Sequence, residues 1–107
     1  MRFVREDKRH TLHYNRHMKY YDWDSEKNEK LITERDISFE DIVFHIAQGA
    51  EVDVLEHPNQ SKYPGQRISV VVVDQYAYLV PHIESETTIF LKTIIPSRKA
   101  TKKYVGD

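Results

Sequence analysis

The residues of this chain that can do chemistry are cationic or proton-carrying, and they gather late in the sequence. Arg67 opens a Val-rich run directly after a Pro/Gly turn, and Lys92 lies in a strand-like segment near the C-terminus. Arg98, Lys99, Lys102 and Lys103 follow Pro96 closely, so four of the eight residues 97–104 are cationic. His57, His82 and Tyr104 can each move a proton. This is the set that metal-free RNA cleavage requires. RNA brings its own nucleophile, the 2′-hydroxyl. The protein must neutralise a pentavalent phosphorane, take the hydroxyl proton and return one to the leaving 5′-oxygen. Arginine suits the first task through planar, bidentate contacts. His, Lys, Tyr or Glu suits the other two. Single strands also favour aromatic rings beside cations, and Tyr63, Tyr76, Tyr78 and Tyr104 are available. Each residue has an ordinary reading too: Arg67 and Lys92 as surface cations, His57 and His82 as loop or strand residues, Tyr104 as an anchor for the tail.

Other chemistries find less support. The chain has no cysteine, which excludes disulfides, thiolate metal sites and cysteine nucleophiles. Its three glycines, Gly49, Gly65 and Gly106, form no phosphate-cradling loop, and no G-x-S-x-G elbow is present. Asp22 and Asp24 flank Trp23, but Asp24 serves better as a helix cap. His57 and His82 are far apart in sequence, with no ligand spacing between them. His10, His13 and His17 would share one face of a helix, yet no carboxylate there supports a metal tract. No metal and no cofactor is expected.

The charges are segregated. Net charge is −1, but residues 1–17 hold five Lys/Arg against two Asp/Glu, residues 20–60 hold three against eleven, and residues 89–107 hold five against one. An acidic body with a basic last strand and tail implies one cationic and one anionic partner; the plainer reading is solvated faces. At 107 residues, with 39% hydrophobic and 31% charged residues, the chain suits one globular domain and is too apolar for a disordered one. No apolar run approaches the ~18 residues of a membrane span. The N-terminus lacks the apolar core of a secretory signal, and the expected location is the cytoplasm. Residues 1–17 show no periodicity. They are expected to be a flexible leader, or to reflect a start placed too early with Met18 as the true one. The domain is expected over residues 18–107.

The elements that must position these residues follow from local signals. Lys19–Trp23 reads as a short strand. Asp24 caps a helix to about Arg35, supported by the Glu26–Lys30 pair. Ser38 and Asp41 form a capping box for a second helix, with Phe39, Ile42, Val43 and Ile46 as its core face and Gly49 as its stop. Alternation then predicts a strand in "EVDVLEH", a long turn in "PNQSKYPGQ", and strands in "RISVVVVD" and "YAYLVPHI". Asp74-Gln75 marks a tight hairpin, lengthened by one or two residues because it lacks glycine. Pro81 implies an unpaired stretch or bulge. "TIFLKTII" reads as one last strand, with Lys92 inside it, and a short helical turn follows Pro96. The expected fold is α+β: two helices packed on one face of a mainly antiparallel four- to five-stranded sheet, with a short C-terminal helical turn.

Three segments carry a family resemblance. "YYDWDSEKNEKLITERDISFEDIV" resembles the opening of BrnT-type toxins, with its aromatic-Trp-Asp strand, Lys/Asn-rich helix and "ISFEDIV". "PSRKATKKYV" is similar to the basic Arg-Lys-Ala-Thr segment that closes that family. "QRI" before a Val-rich strand matches the Arg that precedes its central hairpin. The resemblance spans roughly Met18 to Val105. It implies a toxin of a type II toxin–antitoxin pair in the RelE/ParE superfamily, an mRNA endoribonuclease acting on the ribosome or free of it. It also implies a cognate DNA-binding antitoxin, often of ribbon-helix-helix type, encoded alongside. Arg67 and Arg98 would be phosphate-binding and catalytic, with Lys99, Thr101 and Tyr104 lining the site. Read from the residues and not from the resemblance, Lys92, Lys102 and Lys103 would bind RNA, and His57 or His82 would be the acid or base, with Tyr104 as a substitute. The loop "EHPNQSKYPGQ" is longer and richer in Pro than the family pattern, and no motif assigns the proton-transfer residue. The alternative expectation is a non-nucleolytic ParE-like toxin or an antitoxin-binding co-repressor without catalytic activity.

Overall fold

The computed structural model describes residues 19–106. The leader expected over residues 1–17 and the His10/His13/His17 tract lie outside the described residues. Strand β1 (Tyr20–Asp22) leads into α1 (Ser25–Arg35) and α2 (Phe39–Ala47), and β2 (Glu51–Glu56), β3 (Gln66–Val73), β4 (Tyr76–Glu84) and β5 (Thr88–Leu91) follow. A two-residue strand β6 (Ile95–Pro96) and helix α3 (Arg98–Tyr104) complete the fold. The sheet order is β1-β5-β4-β3-β2, with β6 also pairing β4. Every pairing is antiparallel except β1 with β5, so the sheet is mainly antiparallel and the class is α+β.

The helix ends form where local chemistry dictates. Asp24 accepts from the Glu26 backbone N–H at 2.8 Å, and Asp36 ends α1 in the left-handed region at φ 56°. Ser38 and Asp41 bond each other's backbone N–H groups, each at 2.9 Å, closing the capping box of α2. Beyond α2, Gly49 N–H reaches the Ile46 carbonyl and Ala50 N–H reaches the His45 carbonyl, with Gly49 at φ +90°. This is the paired-bond stop that glycine permits. Asn28, buried in α1, fastens the two helices. Its carbonyl accepts from the Phe39 N–H at 2.7 Å and its amide donates to Glu40 at 2.8 Å.

Both helices pack on one sheet face. Phe39 and Ile42 are fully buried, and they share a core with Leu31, Val71, Val73, Val80, Ile89 and Leu91. Successive strand residues point to opposite faces, so Val70, Val72, Ala77 and Leu79 belong to the other face. There they pack with Ala100 and Tyr104 of α3. The C-terminal helix thus sits across the sheet from α1 and α2.

Three local expectations need correction. Asp74 and Gln75 make a two-residue turn with φ of 51° and 68°, and Val73 pairs directly with Tyr76. A primed turn matches the strand twist, and the chain adopts it without glycine. The segment read as one last strand is broken between Leu91 and Ile95, so Lys92 lies just past β5. The Lys92 N–H donates to the Pro81 carbonyl at 2.8 Å, so Pro81 faces that break. The irregularity that Pro81 announces therefore falls in the partner segment, while Pro81 itself stays in register with Ile68. The third change is an extra residue, Val52, that bulges β2 between the pairs Glu51–Val71 and Asp53–Val70. Among the described residues no helix is long and apolar enough to cross a membrane.

Candidate functional site

Strand register decides which side chains meet. Glu56 of β2 pairs with Arg67 of β3, and Arg67 pairs with His82 of β4. Directly paired residues share a face with Cβ atoms about 4.5–5.5 Å apart. Glu56, Arg67 and His82 therefore form a row across three adjacent strands, on the face that carries α1 and α2. Glu56 and Arg67 are exposed, and among the described residues neither takes part in an ion pair. His82 is 4% exposed.

A buried polar chain holds the imidazole. His82 Nδ1 lies 3.1 Å from the Val80 carbonyl, which can only accept, so Nδ1 carries the proton. Ser69 Oγ donates to Glu51 at 2.7 Å and lies 3.3 Å from the same Nδ1, where it accepts. Both bonds use the Nδ1 proton and leave Nε2 as the titrating atom. Burial pushes the His82 pKa below its ordinary 6.5, and the positive charge of Arg67 adds to that. The Val80 bond, Glu51 and Glu84 pull the other way. Protonation at Nε2 would leave the inner bonds intact.

The α3 group is built differently. Ser97 caps the helix by accepting from the Ala100 N–H at 3.0 Å. Thr101 Oγ1 donates to the Ser97 carbonyl and accepts from the Ala77 N–H, each at 2.8 Å, tying α3 to β4. Tyr104 donates to Asp53 of β2 at 2.5 Å. That bond raises the Tyr104 pKa and lowers that of Asp53, so the phenol keeps its proton. The anchors are thus Ser97, Ala100, Thr101 and Tyr104, while Arg98, Lys99, Lys102 and Lys103 are exposed. Lys92 projects on the same sheet side, 5.9 Å over the Phe90 ring. Beyond α3 this face is open and apolar: Leu55, Ile83 and Ile95 are each 40% exposed.

The structure divides the residues that the sequence nominated. Arg67 and His82 come together. Arg98, Lys99, Lys102 and Lys103 form a separate group on the opposite face. Val70 and Val72, which α3 covers, lie about 10–17 Å further along β3 than Arg67. No family model, curated protein or solved structure matches this chain. The functional reading therefore rests on geometry. His57 stands at the mouth of the β2–β3 loop, with its Nδ1 accepting from the Asn59 N–H at 3.0 Å. Thr101 and Tyr104 spend their hydroxyls holding α3. Among the described residues no group of three or more His, Asp or Glu side chains is placed to hold a metal ion.

Glu56 is the member that sequence reasoning missed. A glutamate at the end of an alternating strand looks like any solvated residue. The available signal was its distance from Arg67 across the hairpin loop, which pairs the two only once the loop length in the ladder is known.

Proposed function

We propose that this protein is the toxin of a type II toxin–antitoxin pair and that it inhibits translation by cleaving mRNA without a metal ion. The observation that carries the reading is the Glu56–Arg67–His82 row, which supplies a carboxylate, a guanidinium and an imidazole on neighbouring strands. The resemblance of segments 20–43 and 96–105 to BrnT-type toxins supports the same reading.

In this mechanism the 2′-hydroxyl proton passes to the Glu56 carboxylate. The 2′-oxygen bonds to phosphorus, and the bond from phosphorus to the 5′-oxygen breaks. Arg67 stabilises the charge that develops on the phosphorane. His82, in its imidazolium form, gives its Nε2 proton to the 5′-oxygen. The products are a 2′,3′-cyclic phosphate and a 5′-hydroxyl. Arg98, Lys99, Lys102 and Lys103, with Lys92, grip the RNA backbone on the other face. The two groups meet at the edge strand β2, where Glu56 lies on one side and Asp53, held by Tyr104, on the other. An acidic segment of a DNA-binding antitoxin would cover the open apolar face and the α3 cations, in competition with RNA.

A second reading is favoured by one observation. His82 is almost wholly buried, so its reach to a substrate depends on local opening. In that reading the protein binds RNA, antitoxin or another target without cutting, as a ParE-like toxin or co-repressor. Expression from a tightly controlled promoter separates the two. The nuclease reading predicts growth arrest and RNA cleavage that persists in EDTA, both lost in Arg67→Ala and Glu56→Gln. Arrest with intact RNA would support a ParE-like toxin, and no arrest at all would contradict both toxin readings and leave the co-repressor.

A further inference from the structure

The β2–β3 loop joins Glu56 to Gln66, the neighbour of Arg67, so it rises beside the proposed row. Nothing in the cleavage chemistry needs a loop of this length. Two strands could be joined by a few residues, and here residues 57–65 intervene. The loop is rich in Pro, Gly, Asn and Gln, which ordinarily make a mobile surface segment. Instead its own side chains lock it. Gln60 donates to the carbonyls of His57 at 2.9 Å and Gln66 at 3.1 Å, and accepts from the Gly65 N–H at 3.0 Å. Asn59 accepts from Ser61 at 3.0 Å and from the Lys62 N–H at 3.1 Å. The Tyr63 N–H reaches the Asn59 carbonyl at 2.9 Å.

The locked loop displays a specific group. The Tyr63 and His57 rings lie 4.4 Å apart at 37°, and the Lys62 ammonium lies 5.4 Å over the Tyr63 ring. Lys62 is exposed on a flexible stem, so it can leave the ring without breaking any part of the fold. Because His57 Nδ1 accepts from the Asn59 N–H, its proton sits on Nε2 and is available as a donor. A preset aromatic platform with a movable cation and a ring donor is what a single-stranded nucleobase recognises. Rigidity matters because an ordered loop loses little entropy on binding.

We infer that the loop 57–65 is a nucleobase-binding site, in which Tyr63 and His57 stack on the base beside the scissile phosphate and Lys62 swings to its backbone. The inference rests on the RNA-cleaving reading and gives that site its sequence preference. It assigns His57 to base recognition.

Binding of adenosine, guanosine, cytidine and uridine 3′-monophosphates tests it, followed by amide chemical shifts of the whole chain. At least one nucleotide shifts the amides of Asn59, Gln60, Tyr63 and Gly65. Tyr63→Ala weakens that nucleotide by roughly 5- to 150-fold, as removal of one stacking ring does, while Tyr63→Phe binds as the wild type. On RNA, Tyr63→Ala narrows the ratio of kcat/KM between preferred and disfavoured bases, whereas Glu56→Gln lowers all of them alike. No loop shift with any of the four nucleotides, or equal binding by Tyr63→Ala, overturns the inference. That result leaves the nuclease reading standing if Glu56→Gln still abolishes cleavage. Loop binding without cleavage by the wild type would instead keep the base site and discard the nuclease.

Discussion

The Glu56–Arg67–His82 row and helix α3 both present positive charge, yet they are built on opposite plans. In α3 the polar anchors face inward and the cations face solvent, so the helix holds charge in place. In the row, a buried chain from Glu51 through Ser69 fixes one imidazole, and two exposed heads of opposite sign sit beside it. The first arrangement can bind a polyanion of any sequence. The second can serve different stages of a reaction, because its three members are a carboxylate, a guanidinium and an imidazole. On the proposed function, the cationic cluster near the end of the sequence marks where RNA would dock, while the register of three strands marks where it would be cut.

Separating rate from affinity puts this division of labour at risk. Glu56→Gln should lower the cleavage rate by about 10²–10⁴-fold and leave RNA binding within a few-fold of wild type. Fluorescence anisotropy beside single-turnover cleavage checks both. Removing all four α3 cations should do the reverse. Affinity falls, and the slope of log affinity against log salt shrinks by about 0.7 for each phosphate no longer neutralised. If the α3 variant binds normally but cannot cut, the assignment of the two regions must be exchanged.

The next effect is on stability. His82 is held neutral in the fold below its ordinary pKa of 6.5, so the unfolded chain binds more protons on acidification. The fold is then fully stable above about 6.5 and loses stability as pH falls through that value toward the depressed one. Replacing Ser69 by Ala removes one partner of the buried imidazole and of Glu51, at a cost of about 1–3 kcal/mol. Urea unfolding at several pH values measures both. In α3, Ser97→Ala should cost about 1 kcal/mol of local stability and weaken RNA binding though no charge has changed. Smallest is Gln75→Gly. It relieves a left-handed residue in the hairpin turn, should stabilise the fold by about 0.5 kcal/mol once glycine's greater unfolded-state freedom is offset, and should alter neither region.

What the sequence revealed follows the range of each interaction. The Asp24 cap, the Ser38/Asp41 box and the Gly49 stop act within a few residues, and each was legible. So was the α+β class, because its periodicities are local. The pairing of Glu56 with Arg67 and of Arg67 with His82 depends on the length of one loop and on a two-residue turn made without glycine. The sequence suggested a longer turn, and a single slip of register would have sent Arg67 and His82 to opposite faces. Tyr104 illustrates the same limit: whether it serves as acid, base or anchor was undecidable until Asp53 stood opposite it. Pro81 signalled an irregularity correctly, but only the fold shows that the partner segment absorbs it.

The proposed proton transfer by the row in RNA cleavage has a decisive test. Cleavage of a short single-stranded RNA in EDTA is followed as a function of pH, for wild type and Glu56→Gln, with end-group analysis. The expected result is 2′,3′-cyclic phosphate and 5′-hydroxyl ends and near-complete loss of cleavage in Glu56→Gln. The wild-type rate should climb as pH falls below 6.5 while the protein stays folded. Equal cleavage by the two proteins, or no cleavage by the wild type at any pH at which it is folded, would contradict the assignment.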